Sequence, residues 1–504
     1  MNDAVPKAER LALLKKTSFG ERVAEDEVAK LAGYFVETDQ WDRIFKGEID
    51  VVRGDKGSGK SAIYSLLVTK RNDLFDKGIL LVTGEKPRGM PVFKDLVADP
   101  PTTEQEFVAL WKLYIASLIA NELKEYAFES SDAKKLIRTL EEEKFLESDF
   151  DLSRLLKQAR TTVSRWFNPA AIEGTVKFDP DTGIPTFGGK ITPAEPNSDL
   201  RSKGYLSVDT LAELANRALS AAGYQVWVLL DRLDVAFAES HELERNALRA
   251  LFRVYRDFAD KDCIKLKIFL RSDIWDRIVE GGFREASHIT RVVTLDWTSE
   301  ALLNLIVRRL LSNEMLIDKL EIDKVAVLRD SKAQDAVFYR FFPPQVEQGA
   351  KKRPTRDWMI NRCEDGHRKT APRELIHFLN SLRDLELARL ERGDALPPGE
   401  QLFDRSVFKP ALEIVSEARV VQTIYAEYPN LKPYLVELEG EKTEQTIDTL
   451  ATIWKVSKGE ADKRAQALVE IGFFEQRGGR DNWTYWVPFL YRDALHMSQG
   501  LAEE

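Results

Sequence analysis

Cysteine is almost missing from this 504-residue chain, and Cys263 and Cys363 stand far apart without metal-ligand spacing. A disulfide framework and a cysteine zinc site are excluded, and a reducing compartment is expected. Histidine is equally scarce: His241, His288, His367, His377 and His496 form no local metal motif. Long hydrophobic runs are absent too. The most apolar helix candidate, 107–128, is interrupted by Lys112, Asn121, Glu122 and Lys124, which makes it an amphipathic core helix and not a membrane span. Residues 1–16 lack the apolar segment and cleavage site of a secretory signal. A cytoplasmic location without a membrane partner is expected. Positive charge is not in excess: the formal net charge is -9. This argues against uniform coating by nucleic acid and leaves room for a basic surface on one domain. No nuclease, protease or deaminase constellation is visible, so any effector activity is expected from another chain.

What is present is the composition of a soluble globular protein, with 43% hydrophobic and 31% charged residues. The length suggests roughly three domains, at about 100 to 200 residues each. Short apolar runs at 49–52, 79–82, 226–230, 266–270 and 292–295 alternate with helical patterns, as in a parallel α/β sheet. The third run has almost no polar interruption and reads as a central strand, whereas the fourth alternates and reads as lying nearer an edge. About 140 residues separate the second and third runs, far more than the roughly 30 of a βαβ unit, so 84–224 is an insertion. Its first helix opens on a capping box, Thr103 and Glu106, and carries Phe107, Leu110, Trp111, Tyr114, Ile115 and Leu118 as a core stripe. Residues 175–187 read as a hairpin around a Gly-containing turn. Helices follow from Ser299 to about residue 396, interrupted by a basic loop at 348–356. The expected domains are 1–300, a helical lid at 301–396 and a C-terminal domain at 397–504.

The chemistry concentrates at Gly54, Asp55, Lys56, Gly57, Ser58, Gly59, Lys60 and Ser61, with Ala62 opening the helix that follows. Glycines in this spacing let backbone N–H groups wrap a triphosphate; Lys60 reaches its outer phosphates, and the Ser61 hydroxyl helps to hold magnesium. A strand directly before the loop and a helix directly after it supply the required context, since the helix N-terminus favours an anion. ATP and Mg2+ are the cofactors expected. The strand 226–230 ends on Asp231, the candidate metal ligand. The next acid is Asp234, one turn on, either the base for hydrolysis or a salt-bridge partner of Arg232. Arg271 follows the fourth strand and is a candidate sensor of the terminal phosphate, the alternative being an ion pair with Asp231 or Asp273. Arg373 begins a lid helix in Pro372-Arg373-Glu374 and is placed to approach ATP when the lid closes. Trp41 reads as a buried ring, with adenine packing as the less favoured role.

On these residues the chain resembles the ASCE class of P-loop ATPases, particularly bacterial relatives of the origin-recognition-type AAA+ and STAND ATPases. The features are 54–61, the acids of Asp231-Arg232-Leu233-Asp234, Arg271, Leu295-Asp296-Trp297 before the lid, and Pro372-Arg373. The resemblance implies a sheet ordered 5-1-4-3-2, an ATP-driven switch, homo-oligomers or a partner effector protein, and an arginine finger for which Arg284 is the candidate. It also implies antiphage defence as one setting. Two departures stand out: no glutamate follows Asp231, and the insertion is foreign to a minimal ATPase core. The C-terminal domain looks like a winged helix, with a capping box at Ser457 and Glu460. If its second helix entered a DNA groove, Lys458, Lys463 and Arg464 would approach the duplex while Arg477 and Arg480 met phosphates. Protein contact is as good a reading of this thin positive stripe, and DNA is one possible partner.

Overall fold

The computed structural model describes residues 5–21, 31, 33, 35–36, 38–84, 103–146, 151–167, 177–178, 185–186, 190–202, 204–233, 241–280, 282–479 and 483–502. The chain divides into two compact units. A sheet unit comprises Asp39–Asp55 and Lys60–Leu295, and a helical unit comprises Met1–Thr38, Lys56–Gly59 and Asp296–Glu504. The expected lid and C-terminal domain thus fall in one unit, together with the N-terminal segment.

In the sheet unit the strands are β1 (Val51–Gly54), β2 (Ile79–Thr83), β3 (Gln225–Leu230), β4 (Ile264–Arg271) and β5 (Val292–Thr294). All pair in parallel, in the order β5-β1-β4-β3-β2. The helices that matter are α1 (Lys60–Thr69), α2 (Glu104–Glu125), α3 (Val208–Ala222), α4 (His241–Ala259) and α5 (Ser272–Val279). Helix α2 starts where its cap chemistry dictates, since the Thr103 hydroxyl accepts from Glu106 N at 3.2 Å. Phe107, Leu110, Trp111, Tyr114, Ile115 and Leu118 are all buried in one core with Val226, Val228 and Leu230 of β3. The two polar ring atoms of that stripe are satisfied: Trp111 Nε1 donates to Ala247 O at 2.9 Å and Tyr114 Oη to Gly84 O at 2.8 Å. Helix α2 of the insertion is therefore built into the core of the sheet unit. Lys177–Phe178 and Pro185–Thr186 pair antiparallel, and the turn expected between them lies outside the described residues.

The alternation of the fourth strand misleads. β4 is the middle strand, between β3 and β1. Its Lys267 is 2% exposed and donates to Ile49 O at 2.6 Å and Asp50 Oδ1 at 2.8 Å, with Nζ 4.4 Å from the centre of the Trp227 ring. Asp50 also receives Arg291 Nε at 2.7 Å and Tyr255 Oη at 3.1 Å. Burial holds the Lys267 ammonium below its ordinary pKa, and Asp50 offsets part of that shift. A lysine that would mark a solvent face is here matched by the carboxylate of Asp50, directly before the neighbouring strand β1. Lys267→Met leaves Asp50 without its nearest buried cation and is expected to destabilise the fold by about 3 kcal/mol, read from urea unfolding. An unchanged midpoint would contradict the pairing.

In the helical unit, α6 (Ser299–Leu310), α7 (Thr355–Arg362), α8 (Pro372–Arg392) and α9 (Phe408–Arg419) share a core with α10 (Ile447–Ile453) and α11 (Lys458–Glu470). Strands β6 (Lys442–Gln445), β7 (Glu475–Arg477), β8 (Thr484–Trp486) and β9 (Ser498–Leu501) form a second sheet in the order β7-β8-β6-β9. Ser457 caps α11 by accepting from Glu460 N at 3.3 Å. Among the described residues, no helix is long and apolar enough to cross a membrane.

Candidate functional site

Within the sheet unit, β1 ends on Gly54 and α1 begins at Lys60, so both ends of the glycine-rich loop are held by regular structure. Lys60 Nζ donates to Gly54 O at 2.7 Å and to Asp55 O at 3.0 Å, which orients its ammonium on the loop carbonyls. Ser61 and the half-buried Ala62 form the first turn of α1. Ser61 Oγ donates to Asp231 Oδ2 at 3.2 Å, across 170 positions of sequence. Asp231 follows β3 directly and is 5% exposed. A hydroxyl oxygen beside a buried carboxylate is the paired oxygen donor set that suits a hard divalent cation, whose other ligands are phosphate oxygens and water. Among the described residues, no three His, Cys, Asp or Glu side chains gather into a metal cluster. The donor chemistry fits Mg2+ held jointly with a phosphate.

Arg232 follows Asp231 directly, and its φ of 57° lies in the left-handed region. An L-residue there costs about 1–2 kcal/mol, strain that collects at functional sites. Asp234 lies outside the described residues. Arg271 gives Nε and Nη2 to the two oxygens of Asp273, each at 3.0 Å, one of the two ion pairs open to it in the sequence. The pairing has a local reason: Asp273 sits in the first turn of α5, two residues on, within reach of the fork. Burial opposes ionisation of Asp273, but Arg271, Arg277 and Lys60 together outweigh it and hold its pKa below the carboxylate range. Arg284 is exposed in the short 3-10 helix Arg284–His288. Trp41 is buried and stacks on Phe45 at 5.4 Å, as a core ring does.

The loop residues Lys56–Gly59 belong to the helical unit. Ser58 O accepts from Trp297 Nε1 at 2.8 Å, and Lys56 pairs with Glu427. Neither contact was legible in the sequence, because each partner lies more than 200 positions away. Gly57 has φ +82°, and a methyl group there would stand 3.1 Å from Arg373 Cβ and 3.3 Å from Ala371 Cβ. The Pro372-Arg373 turn is thus beside the loop tip. Gly57→Ala is expected to cost about 1–2 kcal/mol in urea unfolding, from the left-handed backbone alone.

Of the basic residues expected to face a duplex, Lys463 is exposed. Lys458 pairs with Asp448, and Arg464 binds Glu460 at 3.2 Å while stacking on Tyr434 at 4.3 Å. Arg477 pairs with Glu475 at 2.7 Å, and Arg480 lies outside the described residues.

No protein-family model matches the chain, and no curated protein matches it. Among solved structures it is similar to the Aeropyrum pernix ORC1 protein in complex with DNA, with 13% identity, 94% of this chain and 96% of that chain covered, and a TM-score of 0.36. It is also similar to the Aeropyrum pernix ORC2 protein in ADPNP-ADP complexes, with 11% identity, 93% of each chain covered and a TM-score of 0.30. Likeness at this level decides neither the fold nor the chemistry of this chain.

Proposed function

We propose that this chain is an ATP-binding and ATP-hydrolysing molecular switch of the AAA+ or STAND type. The loop 54–61 wraps the phosphates, Lys60 neutralises the outer ones, and Mg2+ rests on Ser61 and Asp231. The observation that carries this reading is the 3.2 Å contact between Ser61 Oγ and Asp231 Oδ2, because it joins the end of a glycine-rich loop to the acid at the end of β3. A magnesium ion bound there would offset charge on the phosphates, and the chain's own part is to position it and to keep Lys60 aimed at the loop. Arg271 and Arg373 are assigned to the terminal phosphate and the lid, Asp234 to the attacking water. Turnover is expected to be slow, since Arg232 stands where an acid would activate water. The switch couples nucleotide state to oligomers or to a partner effector; a role in defence draws no support from these residues.

A second reading makes the chain an initiator-like or DNA-remodelling ATPase. What favours it is the order β6-α10-α11-β7-β8, a strand, two helices and an antiparallel pair as in a winged helix, with Lys463 exposed on α11. Particle mass measured with Mg-ADP and with a slowly hydrolysed Mg-ATP analogue, with and without duplex DNA, separates the two. Larger particles with the analogue alone support the switch. A DNA-bound species that disappears in Lys463→Glu/Arg477→Glu supports the second reading. Absence of magnesium-dependent nucleotide uptake sinks both.

A further inference from the structure

In the helical unit, three arginines alternate with two aromatic rings. The Arg477 guanidinium lies 3.8 Å from the centre of the Trp486 ring, and Arg492 lies 4.5 Å from Trp486 and 3.9 Å from Phe489. Arg362, at the end of α7, lies 3.4 Å from Phe489 on the same ladder. The rings themselves meet edge to face at 5.5 Å, so their faces are open to the cations. Three distant segments supply these side chains, which shows that tertiary folding, not local spacing, brings the like charges together.

Stacking satisfies the face of a guanidinium and leaves its in-plane N–H groups needing acceptors. Arg492 is 7% exposed; Nε donates to Val487 O at 2.9 Å, while its buried Nη2 has no hydrogen-bond partner. Arg477 Nε is likewise buried without one. Carboxylates do not make up the difference. Glu475 is shared between Arg477 and Arg368, and Glu347 pairs with Lys352 and Lys409. Asp493 sits near, but burial and Glu413 raise its pKa despite the arginines. Burial first, and then the neighbouring Arg362 and Arg477, bring the Arg492 pKa down to about 10, with Asp493 offsetting only part of that shift.

We propose that Arg362, Arg477 and Arg492, spaced by Trp486 and Phe489, form a binding site for a phosphate oxyanion separate from the loop 54–61. Planar guanidinium forks match phosphate oxygens, and the rings hold the forks in place before the anion arrives. The site goes beyond the proposed nucleotide reading and does not depend on it.

The test uses the full chain carrying Lys60→Ala, free of nucleotide, so that the loop lacks its ammonium and contributes less. One arm titrates inorganic phosphate against chloride at equal ionic strength by calorimetry; the other follows a labelled duplex DNA by anisotropy. Binding of phosphate alone names a free phosphate or phosphomonoester as the source, and binding of the duplex alone names a phosphodiester backbone; either supports the site. Arg362→Gln/Arg477→Gln is expected to weaken that binding at least about tenfold, the loss of charge-assisted hydrogen bonds. Arg477→Gln alone, at a side chain 38% exposed, serves where the double variant does not fold. The proposal is overturned if neither anion binds above chloride, or if the arginine variants bind as well as the Lys60→Ala parent.

Discussion

Lys60→Ala is expected to weaken Mg-ATP binding by about a hundredfold and to abolish hydrolysis. The magnitude comes from the charge: two charge-assisted hydrogen bonds to phosphate oxygens, each worth about 1.5–3 kcal/mol, correspond to at least two decades of affinity. Little of that return is lost to ordering, because Gly54 O and Asp55 O already hold the ammonium at 2.7 and 3.0 Å. Asp231→Asn should behave differently. It removes the buried charge beside Ser61 Oγ, so affinity is expected to fall about tenfold in magnesium and to change little in EDTA. A fluorescent nucleotide titrated with and without the metal reads both variants. Equal losses in the two buffers would remove Asp231 from the metal site.

Arg419→Met is expected to destabilise the helical unit by about 3–5 kcal/mol, the loss that follows when one member of a buried ion pair is removed. Arg419 Nη1 meets Glu374 Oε1 at 2.9 Å, with side-chain exposures of 12% and 6%. Burial works against the charge on Arg419, and Glu374, Tyr491 and Asp365 more than offset it, so its guanidinium stays charged above the ordinary range. The other oxygen of Glu374 is buried without a hydrogen-bond partner, and a methyl group at Gly57 would stand 3.4 Å from it. Stranding Glu374 therefore disturbs the packing of α8 on α9. Arg419→Met/Glu374→Met should recover most of the loss, since an apolar pair of similar volume avoids desolvated charge. Urea unfolding of the two single variants and the double one closes the cycle. A double variant no more stable than Arg419→Met would mean that packing, and not the stranded carboxylate, sets the cost.

Much of the sheet unit was legible because strands and their caps are local. The five apolar runs lie on β1 to β5 within about two residues at their ends, the scatter that boundary definitions carry. Helix α2 began at its capping threonine. The fourth run reads as nearer an edge for a reason that is general: alternation records which residues are polar, not what faces them, and a buried Asp50 just before the adjacent strand turns a solvent pattern at Lys267 into a core pair. Arg271 reads ambiguously for a similar reason, since its partner Asp273 was only one of two acids within reach. Trp297 on Ser58 O and Glu427 on Lys56 left no local trace at all.

Order along the chain was enough to mark the glycine-rich loop between a strand and a helix, because backbone conformation there follows from neighbouring residues and the spacing of two glycines, a lysine and a serine. It was also enough to mark the apolar strands, whose burial follows from composition. The closeness of Ser61 to Asp231, the burial of Lys267 and the stacking of Arg362, Arg477 and Arg492 come from folding alone. Each is a meeting of groups distant in sequence, set by which strands pair and which helices pack, and no periodicity within a segment carries that information.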